Sequence, residues 1–256
     1  MTAPKAQLLA AATYTYNYLA MWPGYSGTAQ NWFLGHLWTL SLEEQFYLFW
    51  PATLLLLGNA RALKAAVAIV VLTPAIRVAS YFLLPGLRGS LDMMLHTAVD
   101  SIMAGCVLAF LARESLPPAL ASMLKRKTFL ASALIFLLVV SPLLAHRFHG
   151  LYLATVGYTL DAVGAAVLIW HVSVVAPGTS LARVLSVPPL VFIGRLSYSW
   201  YLWQQLFLTP LNHTWSGSFP DGILCSFSAA LGSHYLIEQP CLRLKRKFQP
   251  LAAKHE

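Results

Sequence analysis

Apolar residues run along this chain in long blocks, broken by short polar connections, rather than in the spaced pattern of a soluble helix or strand. About 20 mostly apolar residues cross a bilayer as a helix. The stretches that approach this are Gln7–Met21, His36–Leu57, Ala65–Leu84, Leu95–Leu111, Thr128–Ala145, Tyr152–His171, Leu190–Pro210 and Gly222–Ile237. The first is short, and Tyr14, Tyr16, Asn17 and Tyr18 interrupt it. A cleavable signal would have a cleaner core and a small-residue cleavage site, so this segment is expected to stay as a membrane helix. Gly and Pro mark the connections, as in "WPGYSGTAQ", "LPGLRGS" and "SFPDG". The pattern predicts an all-α fold, a polytopic transmembrane helix bundle of about eight spans. It is expected to form one integral-membrane domain over residues 1–256.

Composition agrees: 58% of residues are hydrophobic and 10% charged, with a mean hydropathy of +0.63. The net charge of +8 raises the question of nucleic acid, which the distribution answers. Most basic residues fall in alternate connections: Lys5; Arg61 and Lys64; Arg113, Lys125, Arg126 and Lys127; Arg183; and a tail with Arg243, Lys245, Arg246, Lys247 and Lys254. The opposite connections hold only Arg88 and Arg147. That asymmetry is the positive-inside pattern, with both termini cytoplasmic. No nucleic-acid partner is implied; the bilayer is the partner. Trp22, Trp32, Trp38, Trp50 and Trp215 lie near expected span ends, as an interfacial belt requires. Cys106, Cys225 and Cys241 show no paired spacing, so no disulfide framework or metal site follows.

One stretch carries candidate chemistry. "HLWTLSLEEQFYLFWP", residues 36–51, places Glu43 and Glu44 side by side in an apolar run. At about 100° per residue, Trp38, Leu42, Phe46 and Phe49 share one arc, which is expected to face lipid. His36, Thr39, Glu43, Tyr47 and Trp50 form a second stripe, and Ser41, Glu44 and Gln45 a third. A carboxylate at mid-membrane costs about 2.5–3.5 kcal/mol on insertion scales. Glu43 is therefore expected to face the protein interior, with Tyr47 one turn deeper and Glu44 secondary.

Other polar residues have plainer expectations. Arg77, inside "TPAIRVASYFLL", must find a carboxylate, a carbonyl or water, and Asp100 is the simplest partner. His96 and Asp100 are also spaced to pair on one helix. Asp161 with His171 reads as structural, and Ser197, Tyr201 and Gln204 as helix–helix hydrogen bonding.

The stretch 36–51 resembles the HLWSLSVEEQFYLLWP signature of the membrane acyltransferase 3 family, O-acyltransferases that modify surface sugars. "FIGRLSYSWYLWQQ" is similar to that family's LGRISYSLYLWHQ segment, and "SHYLIEQPCLRLKRK" to its closing YRFIERPFLRLKRR. "TAVDSIMAGCVLAF" resembles a mid-chain family helix built around Asp and Gly. The resemblance implies transfer of an acyl group, commonly acetyl, from acyl-CoA to a hydroxyl of a glycan or lipid-linked sugar. It implies residence in a bacterial inner membrane, acyl-CoA as co-substrate, and no permanently bound cofactor. Glu43 and Tyr47 match the first glutamate and the tyrosine of the signature. The catalytic candidates are Glu43, Tyr47, His36 and Glu44, and the substrate-binding candidates Thr39, Arg77, Asp100 and Trp38.

The departures matter too. Gln204 stands where the family often has His, and Ala98 where a basic residue is frequent. Before Thr39 the chain has neither the early histidine helix nor the Arg-x-x-Arg pair of the family. The expectation is a chain inactive alone, or one that relies on a partner chain for missing helices. The alternative class is a non-catalytic membrane partner or a small-molecule transporter with a polar interior. The chain lacks the matched pair of broken segments such transporters show.

Overall fold

The structure is a computed structural model describing residues 3–22, 33–113, 122–123, 126–175, 178 and 180–248. Trp32, Lys125 and Lys254 lie outside the described residues, as does most of the connection after Arg113. The regular structure among the described residues is all helix, with no strand. Of the described residues, those up to 22 and from 37 to 184 form one compact unit, and those of 33–36 and from 185 to 248 another.

The first unit begins with α1, Ala3–Ala12, and a tight 3-10 turn, Tyr16–Met21. The expected first span is therefore not one helix. Tyr14 has a φ of +51°, and the Thr13 hydroxyl turns back to the Leu9 carbonyl at 2.8 Å. Such local bonding competes with helix continuation. Next comes α2, Leu37–Leu83, interrupted at Gly58, whose φ of 69° and ψ of 168° are open to glycine alone. The two halves, 37–57 and 59–83, fold back on each other. Phe46 and Trp50 cluster with Ala62 and Ala66, Trp50 and Ala66 lying eight residues to either side of the turn. Ala62 and Ala66 carry no bulk, so the backbones approach closely. The connection expected over 58–64 is one glycine.

The same unit continues with α3, Leu95–Ala98, and α4, Asp100–Leu111, whose Met103 completes the Phe46–Trp50 cluster. It continues with α5, Lys127–Phe148, α6, Gly150–Val174, and most of a short helix, Ser180–Leu185. The Tyr152 hydroxyl donates to Ser141 Oγ across these two helices at 3.1 Å. Gly164 lets Leu137 in, since a Cβ there would lie 3.1 Å from its side chain.

In the second unit α7, Pro188–Leu208, packs on α8, Asp221–Ser233. Trp200 Nε1 donates to Ser226 Oγ at 3.0 Å, and its ring meets Phe227 edge-on at 5.2 Å. A wide π turn, His234–Glu238, leads into the basic helix α9, Gln239–Phe248.

Among the described residues three helices are long and apolar enough to cross a membrane: α2, α5 and α6. Because α2 is folded at Gly58, it contributes two apolar rods of about 31 and 37 Å at 1.5 Å per residue. α7 is long enough but carries Arg195, Ser197, Ser199, Gln204 and Gln205. The burial pattern is that of a membrane protein. Leucines such as Leu55 (88% exposed) lie outside, while Arg77, Asp100, Thr97, Ser199 and Ser226 are buried.

Candidate functional site

The signature stretch forms the first half of α2, and its packing reverses part of the expected arrangement. Leu42 and Phe46, placed on the lipid arc by periodicity, are buried. Glu43 and Tyr47, placed inward, are exposed, Tyr47 at 58%. A helical wheel sorts side chains into arcs but does not say which arc meets protein. Here an aromatic arc found the small residues Ala62 and Ala66. Trp50, on the Glu43 stripe two turns deeper, is buried, so Glu43 borders the packed arc. Glu44, Thr39 and Trp38 are half-buried.

The third stripe has partners. Gln45 and Asn17 exchange amide hydrogen bonds at 2.9 and 3.1 Å, and Gln45 Nε2 also donates to the Tyr14 carbonyl at 2.7 Å. Ser41 Oγ accepts the Tyr16 backbone N–H at 3.2 Å. The residues that break the first apolar run therefore exist to meet α2. His36 belongs to the second unit, where the Tyr201 hydroxyl donates to its carbonyl and the two rings meet edge-on at 5.3 Å.

Arg77 and Asp100 do come together, at 2.5 Å, with 0% and 1% of their side chains exposed. Arg77 Nε donates to the Thr97 carbonyl at 2.6 Å, and the Thr159 hydroxyl donates to the same Asp100 oxygen. The guanidinium also lies 5.4 Å from the Tyr158 ring centre. Nη1 of Arg77 and Oδ1 of Asp100 have no partner among the described residues. The alternative His96–Asp100 pairing is not formed. His96 Nδ1 instead meets the Tyr18 hydroxyl at 3.1 Å, the rings stacked 5.8 Å apart.

His96 and Tyr18 border a cleft of about 420 Å³ between the halves of α2 and the start of α4. Phe46, Trp50, Thr53 and Thr73 line it with aliphatic side chains of α2 and α3. It falls in the size range of small-molecule sites, mostly apolar with few polar groups. Periodicity did not disclose it, because it forms only when the chain turns back at Gly58.

A polar cluster missed from the sequence joins two of the motif segments within the second unit. Ser199 Oγ donates to Glu238 Oε2 at 2.8 Å, and His234 Nδ1 contacts the same oxygen at 2.9 Å. The expected contacts of Ser197 are not made across helices; its hydroxyl bonds the Gly194 carbonyl of its own helix. The readable signal was Glu238, an ionisable residue following an apolar run. No group of metal-ligating side chains occurs among the described residues.

The family model described as "Acyltransferase domain", of the acyltransferase 3 type, matches residues 3–238. The chain belongs to this acyltransferase family. It is 31% identical over 181 residues to the Bacillus subtilis (strain 168) protein named "Putative peptidoglycan O-acetyltransferase YrhL", covering 67% of this chain and 28% of that protein. It is 31% identical over 186 residues to "Putative O-acetyltransferase SACOL0978" of Staphylococcus aureus (strain COL), covering 67% and 29%. Over 187 residues it is 26% identical to "O-acetyltransferase OatA" of Staphylococcus aureus (strain NCTC 8325 / PS 47), covering 70% and 30%. The chain thus spans under a third of the length of these curated relatives. No solved structure gives a significant match.

Proposed function

We propose that this acyltransferase-family chain is an integral-membrane O-acyltransferase that moves an acyl group from acyl-CoA to a hydroxyl of a cell-surface glycan. The family match over residues 3–238 carries this reading. The relatives' names point to acetyl as the group and peptidoglycan as an acceptor. The charge asymmetry supports an inner-membrane protein with cytoplasmic termini.

In the proposed reaction Glu43 takes the proton of the acceptor hydroxyl as its oxygen attacks the thioester carbonyl. The C–O bond forms, the C–S bond breaks, and the CoA thiolate leaves and recovers the proton. Tyr47, one turn from Glu43, is proposed to hydrogen-bond the acceptor, with Glu44, Thr39 and Trp38 on the same helix. Arg77 and Asp100 are proposed to hold the α2–α4 frame, their unpartnered atoms offering one donor and one acceptor.

The test is acyl-CoA-dependent acylation of a peptidoglycan disaccharide by membranes carrying the chain, alone and co-expressed with a family N-terminal helical piece, each with and without Glu43→Gln. General-base loss costs about 10²–10⁴-fold in rate. The variant is expected to insert normally and lose turnover on that scale. Full turnover by it would make the carboxylate structural.

A further inference from the structure

The basic helix α9 is a strongly charged surface that the proposed reaction does not use. Arg243, Lys245 and Lys247 are exposed there, and none of their side chains bonds to another described residue. Glu238, at the foot of α9, is taken by Ser199 and His234. No other acid occurs before Glu256, while Arg246 and Lys254 add two further cations. Among the described residues of its unit, α9 therefore has no counter-ion. Leu242 and Leu244 are exposed among the cations, and the stems of Arg and Lys are themselves hydrocarbon. Such a surface suits a boundary between hydrocarbon and phosphate.

Length places α9 at that boundary. Helix runs without a break over residues 221–248, through the π turn. Trp215 and Phe219, exposed just before it, suit an interfacial belt. Counted from Asp221 at 1.5 Å per residue, Arg243 lies about 33 Å along and Lys247 about 39 Å. A hydrocarbon core is about 30 Å thick, and a bilayer with its headgroups about 40–45 Å. With 222–237 as a span, as its apolar run predicts, these cations reach the phosphate layer of the cytoplasmic face. On a 100° wheel Lys245 lies about 200° from Arg243, and Lys247 about 40°. Cations on opposite sides cannot close on one soluble polyphosphate such as CoA, whereas headgroups surround a membrane helix on every side. We propose that α9 binds anionic phospholipid headgroups at the cytoplasmic face, its cations meeting phosphates and its leucines the start of the acyl chains. The proposal rests on the charge-based topology and is independent of the acyltransferase reading.

The test reads which lipid gathers at α9. Cys241, exposed in α9, is labelled with bimane in a Cys106→Ser/Cys225→Ser background. The full chain is then placed in vesicles of phosphatidylcholine and phosphatidylglycerol. The quencher is a lipid spin-labelled near its headgroup, either phosphatidylglycerol or phosphatidylcholine at the same fraction. One cation at an anionic surface is worth about fivefold, so phosphatidylglycerol should be enriched at Cys241 by at least that factor. The variant Arg243→Gln/Lys245→Gln/Arg246→Gln/Lys247→Gln, checked for helix content and monodispersity, should bring the two lipids to within about twofold. A bimane at Trp215→Cys, with Cys241→Ser added, should show no such preference. Equal quenching by both lipids at Cys241, enrichment kept by the neutral variant, or the same enrichment at position 215 would each overturn the proposal. So would its loss on adding millimolar CoA at fixed ionic strength, which would make α9 a nucleotide site instead.

Discussion

Replacing Asp100 with Leu should be among the most damaging single changes in the first unit. It would strand the Arg77 guanidinium, which has 0% exposure and takes Asp100 at 2.5 Å. Removing one partner of a buried ion pair costs about 3–5 kcal/mol, more than a hundredfold in the folding equilibrium. Arg77→Met strands the Asp100 carboxylate in the same way and should cost a similar amount. The double variant Arg77→Met/Asp100→Leu removes the uncompensated charge altogether. It still loses two hydrogen bonds, from Arg77 to the Thr97 carbonyl and from Thr159 to Asp100. At about 1 kcal/mol each, and with the apolar pair neutral or better, the double variant should fall within about 2 kcal/mol of the parent. Reversible unfolding in mixed micelles, followed by far-UV circular dichroism, measures all four corners of the cycle. A cost below about 1 kcal/mol for Asp100→Leu, or a double variant as poor as the summed singles, would refute the assignment of this pair.

Three further outcomes follow from particular positions. Gly58→Ala should lose about 1–3 kcal/mol in the same unfolding assay; nothing lies within 4 Å of a Cβ there, so the loss is backbone strain alone, and an unchanged midpoint would show the turn is not as described. In a background without native cysteines, Asn59→Cys should resist an impermeant thiol reagent added to intact cells while Gly89→Cys reacts, and equal labelling would undo the charge-based topology. Burial holds the Asp92 carboxyl above its ordinary 3.8 despite the nearby Arg77 charge. A raised folded-state value means that Asp92 costs stability as pH rises through that region. Asp92→Asn should therefore stabilise the protein at neutral pH and have no such effect below about pH 4; a destabilised variant at pH 7 would show that Arg77 attraction wins.

Much of the fold was legible because apolar length is a strong signal. The blocks at His36–Leu57, Ala65–Leu84, Thr128–Ala145 and Tyr152–His171 all became helix. The Arg77–Asp100 pair was legible for a related reason: a guanidinium inside apolar helix must find a charge, and few were on offer. Facing was not legible. Leu42 and Phe46 look as suited to lipid as to protein, and the choice was made by Ala62 and Ala66, distant until Gly58 reverses the chain. The turn itself hid in "GNARALK", whose polar residues suggested a longer loop while the helix simply resumes after one glycine. The Ser199–Glu238–His234 cluster was overlooked because Ser197, Tyr201 and Gln204 made a tidier stripe on paper.

Glu43 and the cleft are closer than the reversed facing first suggests. On a 100° wheel Trp50 lies about 20° from Glu43, and Phe46 about 60° from it on the same side. Phe46 is three residues on, a rise of about 4.5 Å, and both aromatic residues line the cleft. Glu43 therefore stands near the margin of the apolar cleft, on the boundary between the exposed and the packed arcs of one helix. In the proposed transfer the hydroxyl acceptor arrives through a polar surface, which the exposed arc carrying Glu43 and Tyr47 offers. The reacting atoms must then approach to about 3–3.5 Å. A carboxylate fully inside the packed arc would carry the full cost of burial, and one on the far side would be out of reach. In the order Glu43, Phe46, Trp50, Thr53, one helix face passes from a candidate base to the wall of the apolar cleft within three turns.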